Sequence, residues 1–199
     1  MSRFPYYSKI LILFGITMVL SSCGGSGSGS GDDDSNISHR IFVTSSTYNG
    51  NLGGLIGADI ICTTVAGFGG ISGSYRAVMS SSTESANTRL DIDGAVYMKT
   101  AAGNVTVATS GDRFWNNDLA NPINVDENEA TLGAMQGPWT GTNPSGGTSG
   151  IGLTCTDWSI GNNSVLGSTG DTSTTASALW VNANGFTCEE MRPLYCIEE

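Results

Sequence analysis

A single histidine, His39, serves all 199 residues, so a Ser-His-Asp or Cys-His pair has only one possible centre. That histidine borders a Gly/Ser/Asp segment with no nucleophile near it in sequence, and no catalytic residue is expected. Bases are scarce as well. Eight Lys and Arg face eighteen Asp and Glu, for a net charge of −10. So acidic a chain repels nucleic acid, heparin-like polyanions and anionic headgroups. The five cysteines show no CxxC spacing, which argues against zinc. Long apolar runs are missing too. The longest, ILILFGITMVL at 10–20, makes a helix of roughly 16 Å, about half a bilayer core, and reads as a signal h-region rather than an anchor.

Arg3 and Lys9 supply a positive flank before that run, and Leu20-Ser21-Ser22-Cys23 follows it in the pattern of a bacterial lipobox. Residues 1–22 are therefore expected to be a lipoprotein signal peptide. Cys23 would then be the lipidated N-terminus, bearing palmitate-type acyl chains, which also accounts for the odd fifth cysteine. Its removal takes Arg3 and Lys9 and no acid, leaving a net charge of −12. Residues 23–38, largely GGSGSGSGDDDSN, have almost nothing to bury and read as a disordered tether. The implied location is the outer membrane or cell surface, with the periplasmic face as the alternative.

Residues 39–199 form the expected domain, rich in Gly, Ser, Thr and Asn, a composition that favours strands and loops. Ile41–Thr44 reads as a short strand. Ala58, Ile61, Cys62 and Val65 fall at helical spacing and predict a helix over 57–66 stopped by Gly67. SYRAVMS at 74–80 alternates as a strand, and 95–98 with 105–108 reads as a hairpin around Ala101–Asn104. Residues 110–150 show no period. Cys62, Cys155, Cys188 and Cys196 suit two disulfides in an exported chain, and counting alone allows three pairings.

GADIIC at 57–62, SYRAVMSSS at 74–82, PWTGTNPSG at 138–146, CTDW at 155–158 and YCIEE at 195–199 occur in an order that resembles the endostatin-type branch of the C-type lectin-like fold. The opening run RIFVTSSTYNGNLGGLIGADIIC at 40–62 is similar to the DUF1554 domain family of spirochaete (Leptospira-type) lipoproteins. The resemblance spans about residues 40–199. It implies an α+β, C-type lectin-like (endostatin-like) domain with short strands, one or two helices, a long loop region and two nested disulfides, Cys62 to Cys196 and Cys155 to Cys188. It also implies that the first and last strands pair, that a second helix lies near 83–90, and that LTCTDW, ALWV and PLYCIE supply closing strands. It implies no activity. The zinc histidines and heparin-binding arginines of endostatin have no counterparts here.

Candidate binding residues come from the long loops. Trp115, Asn116, Asn117, Trp139 and Asn143 combine apolar rings with amide donors and acceptors, a set suited to sugars or peptides. Trp158 and Trp180 flank disulfide cysteines and are expected in the core. No metal or cofactor is expected. Calcium is the nearest candidate, because Asp118, Asp126, Glu127 and Glu129 offer the oxygen ligands that a hard cation needs. Asp91-Ile92-Asp93-Gly94 opens like a calcium loop but lacks its closing Glu, and Asn143-Pro144-Ser145 and Trp180-Val181-Asn182 only partly match the triplets of calcium-dependent lectins. The chain thus reads as a lipid-anchored, extracytoplasmic binding module for a host or envelope protein or glycan, not an enzyme. The alternative is an envelope-coating lipoprotein without a dedicated ligand.

Overall fold

The computed structural model describes residues 37–199; the expected signal peptide, Cys23 and all but the last two residues of the expected tether lie outside the described residues. The described chain is a mixed α+β domain with a five-stranded sheet, few helices and two disulfides. The strands are β1 (Ser38–Val43), β2 (Tyr75–Ala77), β3 (Ala95–Thr100), β4 (Gly103–Ala108), β5 (Leu166–Thr169), β6 (Asn184–Thr187) and β7 (Tyr195–Glu198). The helices are α1 (Gly54–Phe68), α2 (Ala86–Arg89), α3 (Gly111–Asn116) and a single turn, α4 (Cys155–Trp158). The large sheet runs β2-β7-β1-β3-β4, and β5 with β6 forms a separate ribbon.

The first and last strands pair antiparallel, Ile41 opposite Ile197 and Val43 opposite Tyr195. Strand side chains alternate between faces, so this central pair feeds two cores. Ile41, Val43, Tyr195 and Ile197 join Val96, Met98, Phe114 and Trp180 in one. Phe42 and Cys196 join Leu55, Ala58, Cys62, Trp139 and Trp158 in the other. Burial on both faces is why β1 and β7 read as near-continuous apolar runs rather than alternating ones.

Helix α1 closes the second core with Leu55, Ala58, Cys62, Val65 and Ala66, and Cys62 is bridged to Cys196 on β7. Gly67, the expected stop, lies inside the helix; the chain leaves it at Gly69. The helix also seals the sheet edge. Thr63 Oγ1 donates to the Tyr75 carbonyl and accepts from the Tyr75 N–H, and Asp59 accepts from the Ala77 N–H. Side chains thereby occupy the outward groups of β2 that could otherwise recruit a foreign strand.

Several expectations are corrected. The first strand, expected at 41–44, runs from Ser38 to Val43. The second helix shrinks to the four residues of α2, and α3 lies within the stretch expected to be irregular. LTCTDW and ALWV are not strands. Trp180 and Val181 are fully buried, but their carbonyls meet Asp171 N–H and Thr140 Oγ1 instead of a ladder. The ribbon comes from LGST and NGFT, whose Gly and Asn content hides the pattern.

The inner bridge, Cys155–Cys188, closes over Gly50. A Cβ at Gly50 would overlap Cys155 Sγ and lie 2.8 Å from the Cβ atoms of both cysteines. Gly50→Ala should therefore cost about 1–3 kcal/mol as overpacking, read as a lower denaturation midpoint than wild type. A midpoint unchanged by the added methyl would mean that the bridge can shift freely.

Candidate functional site

Two surface regions stand out, one at the α4 turn and one beside α1. The α4 turn is held in an unusual backbone. Cys155, Thr156, Asp157 and Trp158 have φ of 50°, 54°, 54° and 62°, a full left-handed turn built from residues with Cβ atoms. Such residues cost about 1–2 kcal/mol each in this conformation, so surrounding contacts must hold them there. Cys155 is tied to Cys188, and the fully buried Trp158 donates from Nε1 to the Ser80 carbonyl at 2.8 Å.

Asp157 is left pointing at the surface. Its carboxylate accepts from the Ser82 N–H at 2.6 Å, from the Ser82 hydroxyl at 2.7 Å and from the Thr154 hydroxyl at 3.3 Å. The Ser82 N–H is the main reason that this carboxyl is held below the usual carboxylate range, followed by the Ser82 hydroxyl. Three depressions meet at the pair. One of about 520 Å³ includes Ser82, Thr154, Thr156, Asp157, Ser164 and Leu166. A second, about 350 Å³, runs from Ser82 to the fully exposed Ile151, and a third, about 280 Å³, lies between Asp157, Thr83 and Ile56. The surface offers one ionised acceptor, several hydroxyls and flanking aliphatic groups.

The carboxyl's depressed value fixes the sign of a pH effect. Its contribution to stability is present above about pH 4 and fades as pH falls through the lower folded value. Asp157→Asn should flatten that part of the acid limb, as measured by melting temperature between pH 5 and pH 2 for both proteins. Parallel acid limbs would show that the Ser82 contacts do not favour the charged form.

The expected loop platform is corrected. Trp139 is fully buried against Trp158 at 6.0 Å between ring centroids, and its Nε1 donates to the Tyr48 carbonyl. Its backbone lies beside Leu194, next to β7, because its N–H is taken by Pro193. Trp115 is 7% exposed and packs on Phe114 and Trp180 in the other core. The two rings are thus in separate cores and present no shared stacking face. Asn116 is exposed and donates to Asp112, and Asn117 is exposed. Asn143 organises its own loop, accepting from Ser145 and Gly147 N–H and donating to Thr148.

The four calcium candidates do not converge either. Asp118 accepts from Ser177, Asp126 from Asn128 and Ala130, and Glu127 from Ser45, while Glu129 faces Lys99 at 3.3 Å. Among the described residues no three His, Cys, Asp or Glu side chains cluster as a metal site. His39 is buried in β1, its ring nitrogens at 2.9 Å from the Glu198 carbonyl and 3.0 Å from Asp93.

The second region is a groove of about 600 Å³ beside α1, lined by Ile56, Asp59, Ile60, Thr63, Tyr75 and Arg76 among others. Sequence reading missed both regions. Ser82 carries no signal, and Asp157 stands in a segment read as a strand. The apolar outer side of α1 was visible as Ile56, Ile60 and Phe68, out of phase with the core positions. Among the described residues no helix is long and apolar enough to cross a membrane. No protein-family model matches this chain, and no curated protein matches it.

Proposed function

We propose that the chain is a lipid-anchored, extracytoplasmic binding module of C-type lectin-like, DUF1554-like architecture, fixed at the outer membrane or cell surface through Cys23. In this reading it takes a hydroxyl-rich glycan or a polar stretch of a host or envelope protein at the Ser82–Asp157 surface. The observation that carries the reading is the left-handed turn at 155–158, which holds an ionised carboxylate where two depressions meet, with a third adjoining at its partner Ser82. Strained backbone held in place by a disulfide and a buried Trp is a feature associated with function. A carboxylate with neighbouring hydroxyls suits recognition of ligand O–H and N–H donors. The lectin-like reading is supported by the pairing of first and last strands, the long excursion between β4 and β5, and the nested bridges.

The test is a glycan and matrix-protein array probed with the wild-type protein and with Asp157→Asn and Ser82→Ala. The expected result is one ligand class whose affinity falls about tenfold in either variant, equivalent to about 1.4 kcal/mol, in protein that melting shows to be folded at the assay temperature, since Asp157→Asn also loses the carboxylate's share of neutral-pH stability. A ligand that binds all three proteins equally would place recognition elsewhere. Absence of any ligand on both arrays would favour the envelope-coating role.

A further inference from the structure

We propose that the outward side of α1 lies on the uncharged interfacial layer of the membrane to which the chain is tethered, inserting Ile56, Ile60 and Phe68. The proposal rests on Cys23 carrying the lipid. It concerns orientation on the membrane: Ile56 also borders the smallest depression beside Asp157, while the two larger depressions at Ser82 have no α1 residue in their lining and remain the ligand site.

The outward residues of α1 are the wrong ones for water. Ile56 is 76% exposed, Ile60 62% and Phe68 84%, with exposed Thr63, Thr64 and Gly67 between them. The helix has one charged residue, Asp59, and its carboxylate is engaged by Ala77 N–H and Arg89. Outward faces of helices on soluble domains are normally polar, and a helix that is apolar all round is normally covered on both sides. The groove beside this ridge carries Arg76 paired with Glu199 at 2.9 Å, so it adds little net charge.

Area and reach decide between occupants. Three large side chains expose on the order of 400 Å², about half of what each partner contributes to a stable protein interface. A second copy of the chain therefore has too little to hold. A membrane needs less, because the tether already keeps the domain beside it. The fourteen residues from Cys23 to Asn36 can span about 50 Å at most, which keeps the local concentration of lipid surface high.

The tether also leaves on the correct end of the sheet. Ile197 sits opposite both Ile41 and Arg76, so the start of β1 is level with Ser74 and Glu199, which line the groove beside α1. Only β7 separates β1 from β2, a lateral distance of about 10 Å. Charge settles the kind of lipid. The mature chain carries −12, and the α1 face has no Lys or Arg, so an anionic headgroup layer would repel it and an uncharged one would not.

The experiment uses the full lipidated chain in phosphatidylcholine vesicles containing doxyl-labelled lipid. Phe68→Trp places a reporter on the ridge, and the unchanged protein, whose four native Trp are buried, supplies the background. Quenching in Phe68→Trp at least twofold above that background, abolished by adding Ile60→Asp while the protein stays on the vesicles, is the expected result. Quenching equal to background with the protein still vesicle-bound overturns the proposal. A dimer in detergent that Ile60→Asp dissociates would assign the face to a second copy and also overturn it. Ile60 is exposed, so Ile60→Asp should melt like wild type, and that control separates docking from folding. Detergent partitioning of Cys23→Ala tests the lipid anchor independently. If that variant stays in the detergent phase, the anchor reading fails whatever the quenching shows.

Discussion

Replacing Cys62 and Cys196 together with alanine is expected to cost about 5 kcal/mol and to leave the domain largely unfolded at ordinary temperature. The bridge spans 134 residues, nearly the whole described chain. In the chain-entropy view a loop that long restricts the unfolded ensemble most, and total stabilities are only about 5–15 kcal/mol. The bridge also fastens α1, which forms one wall of the second core, to β7 at the sheet centre. The same substitution at Cys155 and Cys188, 33 residues apart, should cost about 4 kcal/mol and release the left-handed turn. Denaturant midpoints for both double variants, followed by far-ultraviolet circular dichroism, measure this. A Cys62/Cys196 variant that melts within a few degrees of wild type would show that packing alone sustains the sheet.

Trp139→Ala should destabilise the domain by about 3–5 kcal/mol, as much as Trp158→Ala. Both rings are fully buried and pack on each other, and each indole N–H is spent on a backbone carbonyl, Tyr48 for Trp139 and Ser80 for Trp158. Removing Trp139 opens a cavity in the second core and leaves the Tyr48 carbonyl without that partner, beside the Tyr48–Arg192 bridge that pins the 44–50 segment. Trp139→Phe keeps most of the volume and should lose only about 1–2 kcal/mol, chiefly the hydrogen bond. Urea unfolding of the three variants gives the comparison. A Trp139→Ala protein as stable as wild type would return the ring to the surface and revive the loop platform.

These two predictions mark what could and could not be read from residues alone. Ile41–Val43 and Tyr195–Ile197 were legible as strands because short runs of large apolar residues have few other uses. The helix through GADIIC was legible from the spacing of Ala58, Ile61, Cys62 and Val65, though not its ends, since Gly54 and Gly67 both lie inside it. The pairing of the four cysteines was not a matter of counting. It came from the resemblance, and the structure has the same two bridges.

The candidate site was a different matter. Asn and Gly around Trp115 and Trp139 describe loops, and loops are normally outside; here Trp115 lies on the buried side of the short helix α3, and the loop at Trp139 folds inward, so the rings enter two cores. Nothing local to Cys155-Thr156-Asp157-Trp158 favours a left-handed turn, since that conformation is normally left to glycine. By itself, then, the sequence determined the strands at Ile41–Val43 and Tyr195–Ile197, the helix through GADIIC and the acidic composition, because each follows from composition or from a period set by neighbouring residues, whereas the pairing of those two strands came from the resemblance. Only the tertiary structure decided which tryptophans are buried, where Asp157 points and which apolar face of α1 remains uncovered. Those outcomes depend on contacts between residues far apart in the chain, Ser82 with Asp157 and Tyr48 with Trp139, whose free energy outweighs the local preference at either end.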